Sequence, residues 1–304
     1  MNKRKLRAFL CWGIGLYVGL LGFASSSFAK KKYQLRDYIP KVGHSYVVTR
    51  RHRERWYSTL ANGKSVSTLR ADVRLKYRET VVAVRDGFVT HRRRTYTQCW
   101  FRLYHYTMQG GVLKNQRKRC VYHNKTVDIE GVGELAGISH QGKPLYGAGV
   151  FLIQNEMKLL ARAQEGYQMY IPRRGLKVGE RWKISVLGWM LSNRIPHRIF
   201  DLKKCYFRGK LQRIFRQTYG NKRFRMAAVR LWGKFPFDLF PGHRRVRGKM
   251  RLSLKSTFGL NAKQPVGTMD GRNSLRFSGR MYVGQGEKWA TMRAYVRSRV
   301  SVHP

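Results

Sequence analysis

Apolar and polar residues alternate along most of the chain, and this pattern predicts β-strands with one buried and one solvated face. In segment 249–258 the even positions are mostly apolar, whereas the odd positions are Lys, Arg, Ser or Thr. The same alternation occurs in segments 69–78, 80–85, 211–219, 223–232, 274–282 and 289–302. Because the solvated positions are mostly Arg and Lys, we expect antiparallel sheet with a basic exposed face.

Turn-forming pairs separate these segments, and one stretch differs from them by its helical period. The predicted turns are Asn62-Gly63, Asp86-Gly87, Gly220-Asn221 and Asp270-Gly271. Apolar residues recur at three- and four-residue spacing from Val150 to Ala161, after two glycines and before Gly166. The sequence therefore predicts a mainly β (α+β) fold with long, curved antiparallel sheets and one main helix near residues 150–165.

A short internal repeat suggests that the chain has two related halves. Segment 41–46 (KVGHSY) and segment 177–182 (KVGERW) share Lys-Val-Gly, two variable residues and an aromatic residue. Each follows an Ile-Pro pair and precedes an alternating segment, where a turn glycine is expected. We therefore expect an N-terminal β half at 30–148, a helix and connector at 149–170, and a C-terminal β half at 171–304.

The first 29 residues have the pattern of a secretory signal peptide. A basic start (Lys3, Arg4, Lys5 and Arg7) precedes an apolar run, and small residues occupy the −3 and −1 positions of a cut after Ala29. An uncleaved anchor is the alternative, because the run of about 17 residues approaches the length of a membrane helix. The Ser-Phe-Ala ending favours cleavage, so we expect an exported protein, periplasmic or extracellular, that is soluble or peripheral to a membrane.

The charge of the chain narrows the classes of partner. Its 304 residues include 63 Lys or Arg and 15 Asp or Glu, for a formal charge of +48. Removal of residues 1–29 leaves +44, of which +17 lies in 30–170 and +27 in 171–304. The aromatic content of 13% excludes a disordered basic tail. Such a charge attracts anions, although a generally basic set of exported proteins, adapted to the organism's habitat, is the alternative explanation.

The cysteines predict a hairpin with a checkable register. A two-residue turn at Gln109-Gly110 would place Cys99 opposite Cys120, as a non-hydrogen-bonded pair with Cα atoms about 4.5 Å apart. Export favours oxidation, so we expect a Cys99–Cys120 disulfide. Cys205 is then the odd thiol, either buried or available for a disulfide to a partner. The spacing Cys120-x-x-His123 resembles a metal-ligand pair, but the hairpin register separates the nearby histidines, so no metal is expected.

Aromatic residues are interleaved with arginines on this hairpin and upstream of it. Arginine pairs with phosphate, sulfate or carboxylate, and aromatic rings stack on sugars or bases. The alternative is that the aromatics pack in a core and the charges form a solvated face. The predicted polyanion-binding residues are Arg92, Arg93, Arg94, Trp100, Arg102, Tyr104, Arg117, Arg119, Arg244, Arg245 and Arg247.

The sequence offers little for catalysis. Segment 137–142 (GISHQG) resembles a nucleophile elbow whose second glycine comes one residue too late. We therefore expect a non-enzymatic, cofactor-free protein of the cell envelope that holds anionic polymers or anionic lipid head groups on a basic sheet face. The alternative is a periplasmic carrier of a lipid or other apolar ligand in a cavity between curved sheet and helix. An enzyme acting on an envelope polymer is less favoured.

Overall fold

The chain folds mainly into β-structure, as the alternation predicts. The computed structural model describes residues 32–33, 35, 40–63, 65–107, 111–132, 136–157, 170–172, 174–192, 195, 197–239, 246–260, 266–283 and 286–304. About 70% of the structure is strand, and 13 strands form one open antiparallel sheet. The predicted fold class is confirmed, and the two halves share a single continuous sheet. The proposed signal peptide lies outside the described residues.

The strands follow one another around the sheet in nearly sequential order. The first half contributes β1 (Ser45–Leu60), β2 (Ser65–Arg85), β3 (Phe88–Thr107), β4 (Gly111–Arg119), β5 (Thr126–Glu130), β6 (Gly137–His140) and β7 (Lys143–Pro144). The second half contributes β8 (Arg181–Lys183), β9 (Tyr206–Tyr219), β10 (Lys222–Leu239), β11 (Val246–Leu260), β12 (Gly267–Val283) and β13 (Gly286–His303). The order is β7-β6-β5-β3-β2-β1-β13-β12-β11-β10-β9-β8, with β4 also paired to β3. The first and last long strands, β1 and β13, thus join the halves.

Helices occupy the segments between the halves and before β9. Residues 150–157 are helical and form α1, and the remainder of the predicted 150–165 helix lies outside the described residues. A second short helix, α2 (Val186–Ser192), was not predicted; two 3-10 turns, His197–Ile199 and Leu202–Lys204, follow it. Both helices pack on the apolar face of the sheet through buried residues such as Ile153 and Trp189.

One hydrophobic core spans both halves. Side chains from the first half, such as Leu75, and from the second half, such as Leu231 and Leu254, belong to the same buried cluster. In β11 the even-numbered side chains from Leu252 to Phe258 are buried, while Arg251 and Lys255 are exposed. Each long strand therefore contributes one face to the core and one to solvent, as its alternation requires.

The two copies of the sequence repeat form the same turn. Gly43 and Gly179 both have positive φ, 82° and 87°, a conformation that glycine adopts without strain. The Gly43 amide donates to Val81 O at 2.9 Å, and the Gly179 amide donates to Leu211 O at 2.7 Å. In both halves the turn thus precedes the first strand, and its glycine amide bonds to the second strand, which pairs with the first. A common origin of the halves stays a prediction.

One predicted turn is wrong. Asn62-Gly63, Asp86-Gly87 and Gly220-Asn221 connect strands as expected, but Asp270-Gly271 lies inside β12. Gly271 is buried and pairs with Leu254 on one side and Ser298 on the other. Pairing on both edges holds this segment extended, and it overrides the local turn preference of Asp-Gly.

The predicted disulfide is confirmed. Cys99 and Cys120 are bonded, with Cα atoms 5.5 Å apart, at the open end of the β3–β4 hairpin. The register follows the prediction from His105–Lys114 to Trp100–Arg119 and shifts beyond His105, so that Thr107 pairs with Gly111. The Gln109-Gly110 turn itself lies outside the described residues.

The type of cysteine pair differs from the prediction. The Cys120 amide donates to Cys99 O at 3.2 Å, and the 5.5 Å Cα separation is typical of a hydrogen-bonded pair. The expectation of a non-hydrogen-bonded pair is wrong, since one cross-strand hydrogen bond forms, while the Cys99 amide donates to His123 Nδ1 at 3.1 Å instead of to Cys120.

The disulfide lies against the start of α1. A Cβ atom added to Gly149, whose φ is +91°, would lie 2.8 Å from Cys120 Sγ. The Tyr122 hydroxyl donates to Gly149 O at 3.0 Å, and the Val121 amide donates to Ala148 O at 3.0 Å. The bridged end of the hairpin thus positions the beginning of the helix.

Candidate binding face

Three neighbouring rows of mainly basic residues cross the solvated face of the sheet at right angles to the strands. Residues directly opposite each other in paired strands share a face, so the register defines each row. The central row, from β4 to β8, is Arg117, Arg102, Asp72, Arg53, Arg297, Arg272, Ser253, Trp232, Arg208 and Lys183. Ten strands spaced about 4.8 Å apart make this row about 43 Å long.

The flanking rows contain the residues two positions away on each strand. The first flanking row, from β3 to β9, is Tyr104, Arg70, Arg55, Tyr295, Ser274, Arg251, Lys234 and Tyr206. The second, from β4 to β8, is Arg119, Trp100, Arg74, Arg51, Arg299, Asp270, Lys255, Arg230, Lys210 and Arg181. We call these three rows the basic face. Its acidic members are Asp72 and Asp270.

The centre of the basic face is concave. A groove of about 860 Å³ crosses β1 and β9–β13, and a smaller one of about 360 Å³ crosses β1–β3. Arg53 and Arg55 line both, so the two grooves adjoin on β1. Side chains from both halves of the chain therefore line this concave region.

Aromatic rings on the face are stacked with arginines. The Trp100 ring lies between Arg74 and Arg117, whose guanidinium carbons are 4.8 and 4.5 Å from its centroid. Further along, Arg230 lies 5.6 Å from the Trp232 ring. Cation–π contacts of this kind hold guanidinium planes in place, so these arginines are partly ordered before any ligand binds.

The two aspartates neutralise only part of this charge. Asp270 accepts two hydrogen bonds from Arg297, at 3.0 and 2.6 Å, and lies 3.5 Å from Arg299. Burial raises the pKa of Asp270, but the Arg297 hydrogen bond and the charges of Arg297, Arg299 and Arg272 outweigh it, so the pKa lies below its usual range. Asp72 lies 3.3 Å from Arg53. The face stays strongly positive, because these two carboxylates are far outnumbered by its Arg and Lys residues.

Most of the predicted binding residues lie on this side of the sheet. Arg102, Arg117 and Arg119 are exposed members of the rows, and Trp100 and Tyr104 are their aromatic neighbours. Two further predicted residues point to the same side outside the rows. Arg93 is exposed and bonds to Asp128 at 2.9 Å, and Arg247 bonds to Asp238 at 3.3 Å. Arg244 and Arg245 lie outside the described residues.

Arg92 and Arg94 require a correction. Their exposed fractions are 5% and 1%, and both point into the core rather than to the basic face. The reason is a register shift in the β2–β3 pair, where Lys76 pairs with Gln98 and Tyr77 with Tyr96. This arrangement leaves Thr97 as an extra residue, so even-numbered side chains change face at this bulge.

The two buried arginines belong to an internal ion network. Arg94 Nε lies 2.5 Å from Glu79 Oε2, and its Nη1 lies 2.9 Å from Glu156 Oε2 on α1. Arg92 Nε lies 3.4 Å from Glu79 Oε1, and Arg50 Nη1 lies 3.7 Å from Glu156 Oε2. This network fastens the helix to β1–β3.

Three tyrosines complete the network. Tyr46 donates a hydrogen bond to Glu79, and Tyr77 donates to Glu156 at 2.8 Å. Arg94 Nη1 donates to the Tyr96 hydroxyl at 3.3 Å. Burial raises the pKa of Tyr46 and Tyr77 well above the usual range; the nearby carboxylates add to this effect and the nearby arginines oppose it. These hydroxyls therefore remain protonated donors.

The residues considered for metal binding and catalysis have ordinary structural partners. His123 Nδ1 accepts the Cys99 amide at 3.1 Å, and no group of three potential metal ligands occurs among the described residues. Ser139 and His140 lie in the short strand β6, where His140 Nδ1 donates to Thr126 O at 2.6 Å. This bond occupies the ring nitrogen that faces the backbone.

Sequence reasoning missed the middle of the basic face. It did not select Arg53, Arg55, Arg251, Arg272 or Tyr295, although each occupies a solvated position of an alternating or basic segment. The alternation assigns a face to every residue but does not tell which strands are neighbours. The pairing of β1 with β13, which lie near opposite ends of the chain, therefore follows only from the structure.

The comparisons with known proteins leave the site to be interpreted from its own residues. No protein-family model and no curated protein matches the chain. One solved structure, of lipid–protein interactions in lipovitellin, has 9% sequence identity to this chain and a TM-score of 0.35. The match covers 87% of this chain and 25% of the lipovitellin chain. The outer membrane protease OmpT from Escherichia coli has 10% sequence identity to this chain and a TM-score of 0.21. That match covers 86% of this chain and 94% of the OmpT chain.

An outer membrane channel from Pseudomonas putida F1 is 11% identical with a TM-score of 0.18, over 90% of this chain and 99% of its own. Superpositions this loose carry no functional argument. Within the described part of the chain, no helix has the length and apolar character needed to cross a membrane.

Proposed function

We propose that this protein is an exported, non-enzymatic binding or structural protein of the cell envelope that holds anionic polymers or anionic lipid head groups on its basic face. The observation that carries this proposal is the continuity of the three rows, two of which cross ten strands and one of which crosses eight. Only Asp72 and Asp270 oppose the basic residues there. A continuous field of one sign attracts polyanions over long range and binds them with strong salt dependence.

The chemistry and the disulfide support the same proposal. Guanidinium groups form paired hydrogen bonds with carboxylate, sulfate and phosphate, and arginine is the main cation of the face. The Cys99–Cys120 disulfide is typical of proteins in oxidising compartments such as the periplasm or the cell exterior. Polyanions available there include envelope polysaccharides and the head groups of anionic lipids.

The alternative, a carrier of a lipid or other apolar ligand, has less support from the geometry. Where α1 meets the sheet, Glu156 contacts Arg94 and Arg50, and an acyl chain placed there would contact ionised groups. The carrier function stays a prediction. Acyl lipid retained by purified protein through a high-salt wash would favour it, and lipid lost in salt would favour the basic face.

Binding to polyanions at increasing salt tests the proposal. We expect the mature protein to bind dextran sulfate and phosphatidylglycerol vesicles at low salt and to release them at high salt. The double variant Arg102→Gln/Arg117→Gln should bind more weakly, with a salt slope reduced by about 0.7–0.9 for each lost contact. Failure of the folded protein to bind any anionic polymer at low salt would overturn the proposal.

The matched control removes the same charge elsewhere. Lys118 is adjacent to Arg117 in sequence and points to the opposite side of β4, and Lys203 is exposed outside the rows. We expect Lys118→Gln/Lys203→Gln to bind like the unmodified protein. Equal losses in the two double variants would show that overall charge, rather than the basic face, determines binding.

A further inference from the structure

We infer that the larger groove binds an acidic polysaccharide, an extended chain of sugar rings that carry carboxylate, sulfate or phosphate groups. This inference rests on the proposed function and names the ligand class of its central part. It is drawn from three properties of the groove: its course across the strands, the alternation of cations with hydroxyls, and the placement of exposed aromatic rings.

The groove has the shape of a site for an extended chain. It crosses six neighbouring strands, about 24 Å at the usual strand spacing. No acidic side chain occurs among the described residues that line it. The cations of its lining are Arg53, Arg55, Arg230, Lys234, Arg251, Arg272 and Arg297. A linear polyanion lying along the rows would meet a new strand, and new cations, at each step.

Cations and hydroxyls alternate on the floor of the groove. Arg251 on β11 is opposite Ser274 on β12, and Arg272 on β12 is opposite Ser253 on β11. Both arginines are exposed, and both serines are half-buried. This arrangement offers guanidinium groups to acidic substituents and hydroxyls to neutral ones. Acidic polysaccharides present both, since sugar hydroxyls surround every charged group.

Two exposed tyrosines stand at opposite sides of the groove. Tyr295 on β13 is 51% exposed and Tyr206 on β9 is 39% exposed, so both rings are accessible to a ligand in the groove. Aromatic side chains combine a flat apolar surface with a polar tip. That combination suits a sugar ring, which has an apolar C–H face and a polar rim.

The spacing of the rings disfavours single-stranded nucleic acid. Tyr295 on β13 and Trp232 on β10 are three strands apart, about 14 Å. Successive stacked bases are only about 3.4 Å apart, so these rings do not form a platform for neighbouring bases. A planar lipid surface would reach the rims of a concave site more readily than its floor.

Paired variants with equal charge test the inference. The groove variant is Arg251→Gln/Arg272→Gln, and the control is Arg117→Gln/Arg119→Gln at the β4 end of the same rows. The probes are polygalacturonate, neutral dextran, an oligothymidylate and phosphatidylglycerol vesicles. We expect the groove variant to lose about tenfold more affinity for polygalacturonate than the control loses, because charge-assisted hydrogen bonds to the ligand are removed.

A third variant separates stacking from charge. Tyr295→Ser should weaken polygalacturonate binding several-fold while leaving its salt slope unchanged, since no cation is lost. Circular dichroism and thermal unfolding verify that each variant is folded. Neutral dextran should not bind, because it lacks the acidic groups.

The outcomes distinguish failure of the inference from failure of the proposed function. If the unmodified protein binds no anionic probe, both are wrong. If it binds all anionic probes and the two double variants lose equal affinity, the proposed function of the basic face is supported, but the groove is not a separate site. Tighter binding of oligothymidylate or vesicles than of polygalacturonate would contradict the inference and indicate nucleic acid or lipid head groups as the ligand class.

Discussion

Arg94 on β3 and Glu156 on α1 are 62 residues apart in sequence and form a buried ion pair, with Nη1 2.9 Å from Oε2. The exposed fractions of the two side chains are 1% and 4%. Arg50 from β1 and the Tyr77 hydroxyl from β2 also contact the Glu156 carboxylate. One carboxylate thus connects the helix to three adjacent strands, and the stability of this region depends on it.

Glu156→Gln should strongly destabilise the protein. The substitution keeps the shape of the side chain but removes the carboxylate that Arg50 contacts and one of the two carboxylates that Arg94 contacts, and breaking a buried pair costs about 3–5 kcal/mol. The free energy of unfolding in urea near neutral pH measures the effect. The control is Asp128→Asn, which removes a more accessible partner of Arg93 and should cost at most about 1 kcal/mol. Equal effects would contradict the assigned role of Glu156.

The same carboxylate predicts a component of acid sensitivity. Burial alone would raise the pKa of Glu156, but the charges of Arg94 and Arg50 and the hydrogen bonds to the carboxylate hold it below the usual range. Its contribution is therefore present above the unfolded pKa of about 4.3 and is lost as the pH falls through the lower folded value. Stability measured against pH should fall more steeply in the unmodified protein than in Glu156→Gln. Parallel curves would contradict this.

Loss of the Cys99–Cys120 disulfide should lower stability by about 3 kcal/mol, because the bridge restricts the unfolded chain. The double variant Cys99→Ser/Cys120→Ser, compared with the unmodified protein by urea unfolding, measures this contribution. Cys205→Ser is the control and should change the free energy of unfolding little. An unchanged unfolding midpoint in the double variant would show that the bridge does not stabilise the fold.

Gly149→Ala should be more harmful than Gly43→Ala. Both glycines have positive φ, so either alanine introduces strain of about 1–2 kcal/mol. The added Cβ has nothing within 4 Å at Gly43, whereas at Gly149 it lies 2.8 Å from Cys120 Sγ. Overpacking of this kind typically adds about 1–3 kcal/mol. Thermal unfolding of the two variants makes the comparison, and equal losses would rule out the steric contact.

The free thiol of Cys205 should react slowly in the folded protein. Burial, with a contribution from Asp201, raises its pKa to about 11, compared with about 8.5 for an unperturbed cysteine. The thiolate fraction near pH 8 is therefore lower by about two orders of magnitude. Iodoacetamide labelling followed by mass spectrometry should be slow under native conditions and rapid in urea. Fast native labelling, or a disulfide-linked dimer lost in Cys205→Ser, would contradict this expectation.

The alternation of apolar and charged residues was sufficient to predict the β-fold and the buried side of its strands. Neighbouring side chains in a strand point to opposite faces, so a sequence such as that of β11 determines which of its residues are buried before any fold is known. The same local geometry made the Cys99–Cys120 pairing predictable, since the two cysteines belong to one hairpin. The large excess of Arg at solvated positions similarly established the chemistry of the exposed side.

The tertiary structure determines which of these residues lie close together in space. The bulge at Thr97 reverses the faces of β3, so Arg94 enters the core to meet Glu156 while Arg102 joins the basic face; a single extra residue with no sequence signature causes this. The groove depends on the pairing of β1 with β13, which joins the two ends of the chain. Local sequence preferences act over a few residues, whereas both features are selected by contacts between segments far apart in the chain. Only the assembled sheet brings Arg53 beside Arg297 and so creates the site.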